Sequence, residues 1–207
     1  MFDMDGTLVD STAGVVGAWE LFREKYPTID VHNILSSAHG IRTVDNLRSH
    51  CGIQDTDELE REAQRFEEAI VSTSKEGGRQ GIIRLPGVAD ALVQIAAARH
   101  HPNPVWAICT SATRTYALSA LRIAGIPVPD VFVAAEDVKK GKPFPDPYLL
   151  GAKQCGVKAK NCVVFEDAPS GIRSGNEAGC KTVALLTTHS RTQLEQAKPD
   201  FIVKDLS

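Results

Sequence analysis

The chain begins with Met1-Phe2-Asp3-Met4-Asp5-Gly6-Thr7, where two carboxylates stand two positions apart at the end of what we expect to be a buried strand. Side chains alternate along a strand, but Gly6 lets the backbone turn, so that Asp3 and Asp5 can face one ligand. Two clustered anions need a cation, and hard oxygen ligands favour Mg²⁺. An Asx-rich turn after a strand is the alternative interpretation, because short motifs also occur by chance. The first interpretation predicts an active site at the start of the chain.

From Pro86 onward, short apolar runs rich in Val and Ile alternate with helical patterns. The expected strands cover residues 105–109, 131–134, 162–165, 182–186 and 201–203. Helical patterns over 88–99, 113–124 and 148–155 occupy gaps between them. Strands separated by helices predict a parallel sheet with right-handed crossovers, which is a doubly wound α/β fold.

The segment between the first strand and Pro86 has a different pattern, because it is helical and charged. Ser11 or Thr12 is the expected start of one helix, and Asp55 with Glu58 resembles a capping box for another. We therefore predict an α/β core of residues 1–10 and 84–207 and a helical cap domain of residues 11–83. A module on two connections can hinge over the site.

Composition limits the possible partners. The 207 residues are 43% hydrophobic, enough for one substantial core and a second small module. The net charge of −3 offers no broad basic surface, so we expect neither a nucleic-acid nor a membrane partner. Five cysteines without CxxC spacing predict reduced thiols. With no apolar run near about 20 residues and no signal peptide before Asp3, we expect a cytoplasmic monomer.

Polar residues follow several of the expected strands. The carboxyl ends of parallel strands share one rim, where ligands bind. Singly, these residues could form a helix cap, a polar loop or a solvated lysine, but together they predict one site. They are Asp3 and Asp5, Thr110 and Ser111, Lys142, and Glu166 and Asp167.

The residue types in this group suit phosphoryl transfer. Asp3 would attack phosphorus and form an aspartyl-phosphate, and Asp5 would protonate the leaving oxygen and then deprotonate water. Lys142 would supply positive charge to the nucleophile and the phosphate, and Thr110 with the Ser111 amide would donate hydrogen bonds.

The same group offers oxygen ligands for a divalent cation. We expect Asp3, the backbone carbonyl of Asp5 and Asp167 to hold Mg²⁺, with Glu166 in support.

Four motifs resemble those of the haloacid dehalogenase-like phosphohydrolases. They are DMDGT at residues 3–7, an apolar run ending in Thr-Ser at 107–111, Gly-Lys-Pro at 141–143 and VFEDAPSGI at 164–172. The resemblance extends over nearly the whole chain. It implies a modified Rossmann core, an Asp nucleophile, Mg²⁺ dependence and a helical C1 cap inserted after the first strand.

Longer stretches resemble the fungal glycerol-phosphate and 2-deoxyglucose-6-phosphate phosphatases of that family. They are SAHGIRTVDNL at 37–47, VWAICTSATR at 105–114, DVKKGKPFPDPYL at 137–149 and VVFEDAPSGIRSGNEAGCK at 163–181. This resemblance implies a small phosphorylated metabolite as the substrate and places His39, Arg42 and Thr43 of the cap against it. A solvated cap loop is the alternative for His39 and Arg42.

Two features depart from the family pattern. Only Met1 and Phe2 precede Asp3, fewer than the about 4 to 8 apolar residues of a buried strand. Family members also usually extend past the last strand, whereas this sequence stops at Ser207. We therefore expect the natural chain to be longer.

Two other functions remain open at this stage. A sugar-phosphate mutase of the same fold would pass the aspartyl-phosphate to another substrate hydroxyl instead of water. A non-enzymatic phospho-aspartate receiver domain also combines acids, a hydroxyl and a lysine at a sheet rim. In a receiver domain, however, the phosphorylated Asp lies mid-chain, and no long insertion follows the first strand.

Overall fold

The computed structural model of the chain describes residues 1–35, 39–96 and 101–207. The strands are β1 (Val9–Asp10), β2 (Ile83–Arg84), β3 (Ala107–Cys109), β4 (Val131–Val133), β5 (Val163–Glu166), β6 (Lys181–Leu185) and β7 (Phe201–Val203). The helices are α1 (Thr12–Lys25), α2 (Val31–Leu35), α3 (Thr43–Cys51), α4 (Thr56–Thr73), α5 (Val88–Ala96), α6 (Arg114–Ala124), α7 (Asp146–Gln154), α8 (Pro169–Glu177) and α9 (Arg191–Gln196).

The sheet is parallel, as predicted. β3 pairs with β4, and β5, β6 and β7 pair in that order. The N-terminal segment joins the two groups, because Phe2 bridges both Ile108 and Phe165 in parallel. The Phe2 amide donates to the Ala107 carbonyl at 2.9 Å, and the Phe165 amide donates to the Met1 carbonyl at 3.0 Å. Asp3 is thereby placed at the centre of the sheet.

The helices of the α/β part cover the sheet. α7 packs on β3 and β4, and α8 packs on β5 and β6. The predicted helix over 88–99 is seen over Val88–Ala96, and residues 97–99 lie outside the described residues. α6 begins after its N-cap Thr113 and ends at Gly125, as predicted. None of the described helices is long and apolar enough to cross a membrane.

Residues 12–73 contain α1 to α4, whose core is aromatic. The ring centroids of Trp19 and Phe66 lie 4.5 Å apart, and those of Phe22 and Phe66 lie 5.0 Å apart. Asp55 caps α4 as predicted, since its side chain accepts from the Glu58 amide at 2.8 Å. Ser11 does not act as expected: it stands at the N-cap position of α1, but its side chain makes no capping hydrogen bond.

The two connections between the helical segment and the α/β part pair with each other. β1 and β2 form an antiparallel ribbon with Val9 opposite Arg84. This ribbon was not predicted from the sequence, because strands of two residues leave no periodic pattern. The division into a core of 1–10 and 84–207 and a cap of 11–83 stays a proposal, with this ribbon as the candidate hinge.

The five cysteines are free thiols. Burial raises the pKa of the Cys109 thiol to about 12, which keeps it protonated and unreactive.

Candidate active site

Asp3, Lys142 and Glu166 form a buried row behind the rim of the sheet. The Nζ atom of Lys142 donates to Oδ1 of Asp3 at 2.5 Å and to Oε1 of Glu166 at 2.7 Å. Burial alone would lower the pKa of Lys142, but the two carboxylates outweigh it and the pKa is raised. The lysine therefore stays charged beside Asp3.

Glu166 is held from several sides. Its Oε1 atom also accepts from the Tyr148 hydroxyl at 2.8 Å, and its Oε2 atom accepts from the amides of Asp167 and Ala168 at 3.1 and 3.2 Å. At Gly171 on α8, a β-carbon would lie 1.6 Å from Oε1, so only glycine allows this close approach. Because each of its oxygens already accepts two hydrogen bonds, Glu166 is better suited to orienting Lys142 than to binding a metal as a principal ligand.

Asp167 lies next to this row and is also buried. Its Oδ1 atom accepts from the Thr7 hydroxyl at 3.0 Å, and its Oδ2 atom accepts from the Thr188 hydroxyl. Burial and the nearby Glu166 carboxylate raise the pKa of Asp167 to about 7. The roles of Thr7 and Thr188 were not predicted from the sequence. A signal was present for both, because Thr7 belongs to the first motif and Thr188 follows the expected strand over 182–186.

The donor set fits a hard divalent cation. Carboxylate oxygens of Asp3, Glu166 and Asp167 lie within 4.8 Å of one another. The pKa of Asp167 is raised first by burial and then by the Glu166 carboxylate, and a bound cation would favour the ionised form of both groups. Oxygen ligands clustered at one buried point are the kind that Mg²⁺ prefers.

Asp5 is oriented by two hydroxyl groups on one side of its carboxyl. Both Ser11 (2.6 Å) and Tyr116 of α6 (2.8 Å) donate to Oδ1. Burial raises the pKa of Asp5, against these two hydrogen bonds, which lower it. With Oδ1 occupied, Oδ2 is the oxygen available to carry a proton. Tyr116 was not predicted from the sequence, and Ser11 was predicted only as a helix cap.

A cavity of about 90 Å³ lies between the rim of the sheet and the helical segment. Of the predicted site residues, it is lined by Asp3, Asp5, Thr110, Ser111, His39 and Thr43. Lys142, Glu166 and Asp167 lie behind Asp3, away from the lining.

Thr110 and Ser111 form the core side of the cavity. The Thr110 hydroxyl oxygen accepts from the Ala112 amide at 3.1 Å. The Ser111 hydroxyl donates to the Gly40 carbonyl at 3.0 Å, and thus connects the core rim to the turn before α3.

The three residues predicted on the cap side differ in their placement. His39 and Thr43 line the cavity, and burial together with the neighbouring His189 lowers the pKa of His39 to about 4. Arg42 does not line it. Its Nε atom donates to Asp45 at 2.9 Å, and a terminal nitrogen donates to the Lys139 carbonyl at 3.4 Å. The predicted contact of Arg42 with substrate therefore has no support in the described residues.

Glu67 of α4 is a cavity residue that the sequence analysis missed. Its Oε1 atom accepts from the Thr43 hydroxyl at 2.8 Å and from the Thr113 amide at 3.2 Å, and its Oε2 atom accepts from the Thr113 hydroxyl. A signal was present in the sequence, because Glu67 stands four residues after Ala63 and eight after Leu59, on the apolar face of the helix.

Comparisons with known proteins agree with this architecture. A family model described as haloacid dehalogenase-like hydrolase matches residues 1–179. Hexitol phosphatase A from Escherichia coli (strain K12) is 40% identical over 185 residues, covering 89% of this chain and 81% of that protein. Glycerol-1-phosphate phosphohydrolase 2 from Saccharomyces cerevisiae is 32% identical over 212 residues, covering 99% and 81%.

A solved structure shows the same fold. The beta-phosphoglucomutase of Clostridium difficile has a TM-score of 0.78 and 23% identity, covering 99% of this chain and 89% of that chain. The family match spans most of the chain and includes the N-terminal carboxylates, Lys142 and the Glu166–Asp167 pair. This chain belongs to the haloacid dehalogenase-like hydrolases.

Proposed function

We propose that the protein is a Mg²⁺-dependent phosphatase that hydrolyses a small sugar or polyol phosphomonoester through an aspartyl-phosphate on Asp3. The observation that carries the proposal is the placement of Asp3. It is held by Lys142 at 2.5 Å and lines the same cavity as Asp5, whose Oδ1 is fixed by two hydroxyls. Two-step phosphoryl transfer needs a nucleophile and a separate acid, and here each of the two carboxyl groups is oriented by its own hydrogen bonds.

In the first step, a carboxylate oxygen of Asp3 forms a bond to phosphorus as the bond to the alcohol oxygen breaks. Asp5 gives its proton to that oxygen, so that a neutral alcohol leaves. The burial that raises the pKa of Asp5 supports this role, because it favours the protonated form before the step.

In the second step, the ionised Asp5 takes a proton from a water molecule, whose oxygen attacks the aspartyl-phosphate. Inorganic phosphate leaves, Asp3 is again a carboxylate and Asp5 is again protonated. Lys142 stabilises the negative charge of Asp3 before the attack and after hydrolysis, and the Thr110 hydroxyl and the Ser111 amide donate hydrogen bonds to the phosphoryl oxygens.

Asp3, Asp167 and the backbone carbonyl of Asp5 would hold Mg²⁺, with Glu166 close by as the residue that orients Lys142. When bound, the cation offsets the repulsion between the enzyme carboxylates and the substrate phosphate.

The substrate ranking rests on family relationships. We place glycerol 1-phosphate first and 2-deoxyglucose 6-phosphate next, and the similarity to a hexitol phosphatase adds hexitol phosphates to the panel. A cytoplasmic location and a monomeric state remain predictions.

A sugar-phosphate mutase is the second candidate, because a beta-phosphoglucomutase shares the fold. The deciding experiment incubates the protein with these phosphomonoesters, β-glucose 1-phosphate and an aryl phosphate, with Mg²⁺ or with EDTA. Released phosphate and isomerised sugar phosphate are measured in parallel. We expect Mg²⁺-dependent phosphate release without isomer. Isomer formed faster than phosphate would favour the mutase, and no reaction with any ester would reject both.

A further inference from the structure

Glu67 presents a carboxylate to the substrate cavity from the cap side. It belongs to α4, is only 4% exposed, and lies between the apolar residues Phe66 and Ile70 along the helix. The cavity that it lines also contains Asp3 and Asp5, so acidic groups stand on both of its sides.

No described cation compensates Glu67. Its hydrogen-bond donors within the described ranges are the hydroxyls of Thr43 and Thr113 and the Thr113 amide, all of them neutral. Burial raises the pKa of Glu67, and the charge of Asp5 adds to the rise. Burying a carboxylate without a counter-charge is costly, and an apolar residue would suit this face of the helix better. Such an unfavourable arrangement at a cavity wall indicates a function.

The carboxylate retains capacity to bind a ligand. Oε1 accepts two hydrogen bonds from described residues, whereas Oε2 accepts one, from Thr113. A carboxylate oxygen can accept two, so Oε2 can take a further donor. The bonds to Thr43 on one side and to Thr113 of the α/β part on the other restrict the rotation of the Glu67 side chain.

We propose that Glu67 determines specificity by accepting a hydrogen bond from a hydroxyl of the substrate alcohol and by repelling any second anionic group. The substrate class is then phosphomonoesters of neutral polyols or sugars, and bisphosphates and phosphorylated acids are excluded. The inference rests on the proposed phosphatase function. It also favours hydrolysis over a mutase reaction, because transfer of the phosphoryl group to a sugar phosphate produces a bisphosphate in this cavity.

The test compares two esters that differ in one group. Racemic 3-phosphoglycerate carries a carboxylate where racemic glycerol 1-phosphate carries a hydroxymethyl group. We expect the parental enzyme to favour glycerol 1-phosphate by at least about tenfold in kcat/KM, since like charges brought together repel each other. Glu67→Gln keeps the size of the side chain but removes the charge, and should reduce this preference by at least about tenfold.

Two further variants separate charge from structure. Glu68→Gln removes an exposed carboxylate from the same helix and should leave the preference unchanged. Glu67→Asp keeps the charge but withdraws it from the substrate. It should retain discrimination against 3-phosphoglycerate and lower kcat/KM for glycerol 1-phosphate about tenfold relative to an aryl phosphate, which offers no hydroxyl. Circular dichroism and thermal melting check the folding of each variant. If Glu67→Gln does not fold, the kinetics of Glu67→Asp test the inference in its place.

The kinetic results distinguish a failure of the specificity inference from a failure of the proposed phosphatase function. A parental enzyme that hydrolyses both matched esters equally well overturns the inference but not the phosphatase function. Equal losses by Glu67→Gln on all esters, including the aryl phosphate, show that Glu67 only supports the fold of the cavity. Absence of phosphate release from every ester, the aryl phosphate included, overturns the proposed function and this inference with it.

Discussion

The ammonium group of Lys142 lies 2.5 Å from Oδ1 of Asp3, and both side chains are buried. The loop between β4 and α7 thus fixes a carboxylate of the N-terminal segment. In the proposed mechanism Asp3 needs this charge, because burial opposes its ionised form and the ionised form would be the nucleophile.

Asp3→Asn should lower kcat by at least about 10⁴-fold, because an amide cannot form the acyl-phosphate bond. Steady-state phosphate release and acid-quench trapping of the phosphoenzyme are the measurements. Asp57→Asn, on the exposed first turn of α4, is the matched control and should retain parental activity. Near-parental turnover by the Asp3 variant would mean that another residue attacks phosphorus.

Tyr116→Phe should weaken the proposed acid function of Asp5. The change keeps the buried ring but removes the 2.8 Å hydrogen bond that orients the carboxyl. We expect kcat for an alkyl phosphate to fall by about tenfold, and kcat for p-nitrophenyl phosphate to fall less, because its leaving group needs little protonation. The measurement is kcat over a series of leaving groups. The same loss for every leaving group would assign Tyr116 to packing alone.

Without metal, stability should fall as the pH rises toward neutrality. The pKa of Asp167 is raised from its ordinary 3.8 to about 7, so the folded state binds this proton more tightly than the unfolded state. The stabilisation is complete below about pH 4 and is lost as the pH rises through about 7. In EDTA we expect the melting temperature at pH 8 to be at least about 4 °C below that at pH 5.

Two comparisons test whether Asp167 and the absence of metal cause this pH dependence. Asp167→Asn should reduce it in EDTA and abolish most of the activity, and Mg²⁺ should raise the melting temperature of the parental protein at pH 8 but not that of the variant. A parental melting temperature that is unaffected by Mg²⁺ would count against the metal site.

Gly171→Ala should disturb the support of Lys142. The new β-carbon would lie 1.6 Å from Oε1 of Glu166, so the carboxylate must move. We expect a loss of about 1–3 kcal/mol in the free energy of unfolding, together with a lower kcat. Urea unfolding and steady-state kinetics measure the two effects. Arg173→Ala, at an exposed position of the same helix, should change neither.

Arg42→Ala tests whether Arg42 binds the substrate, as the sequence resemblance implies, or only makes the contacts with Asp45 and Lys139 that the structure shows. If Arg42 bound the substrate alcohol, kcat/KM for the physiological ester would fall by roughly tenfold to a hundredfold, and that for an aryl phosphate would fall less. Because Arg42 instead contacts Asp45 and the Lys139 carbonyl, three residues before Lys142, we expect similar losses on both esters. A selective loss on the polyol phosphate would restore the specificity role.

Local patterns were sufficient to place the sheet and its rim. Parallel strands of alternating α/β units present their carboxyl ends on one side, so Asp3, Thr110 and the Glu166–Asp167 pair had to meet there. Short strands and the β1–β2 ribbon were less predictable, because two residues carry no period. The sequence by itself thus determined the α/β fold and the group of acids, hydroxyls and lysine that meet at its rim.

Only the tertiary structure decided which side chains of the helical segment line the cavity. The contact of Glu67 with Thr113 spans 46 residues, and that of Tyr116 with Asp5 spans 111. Such pairs depend on how α4 and α6 are rotated and on where the helical segment lies over the rim. Local periodicity shows which face of a helix is buried, but not which residues that face contacts. The contact of Arg42 with the Lys139 carbonyl and the place of Glu67 in the cavity therefore became visible only in the structure.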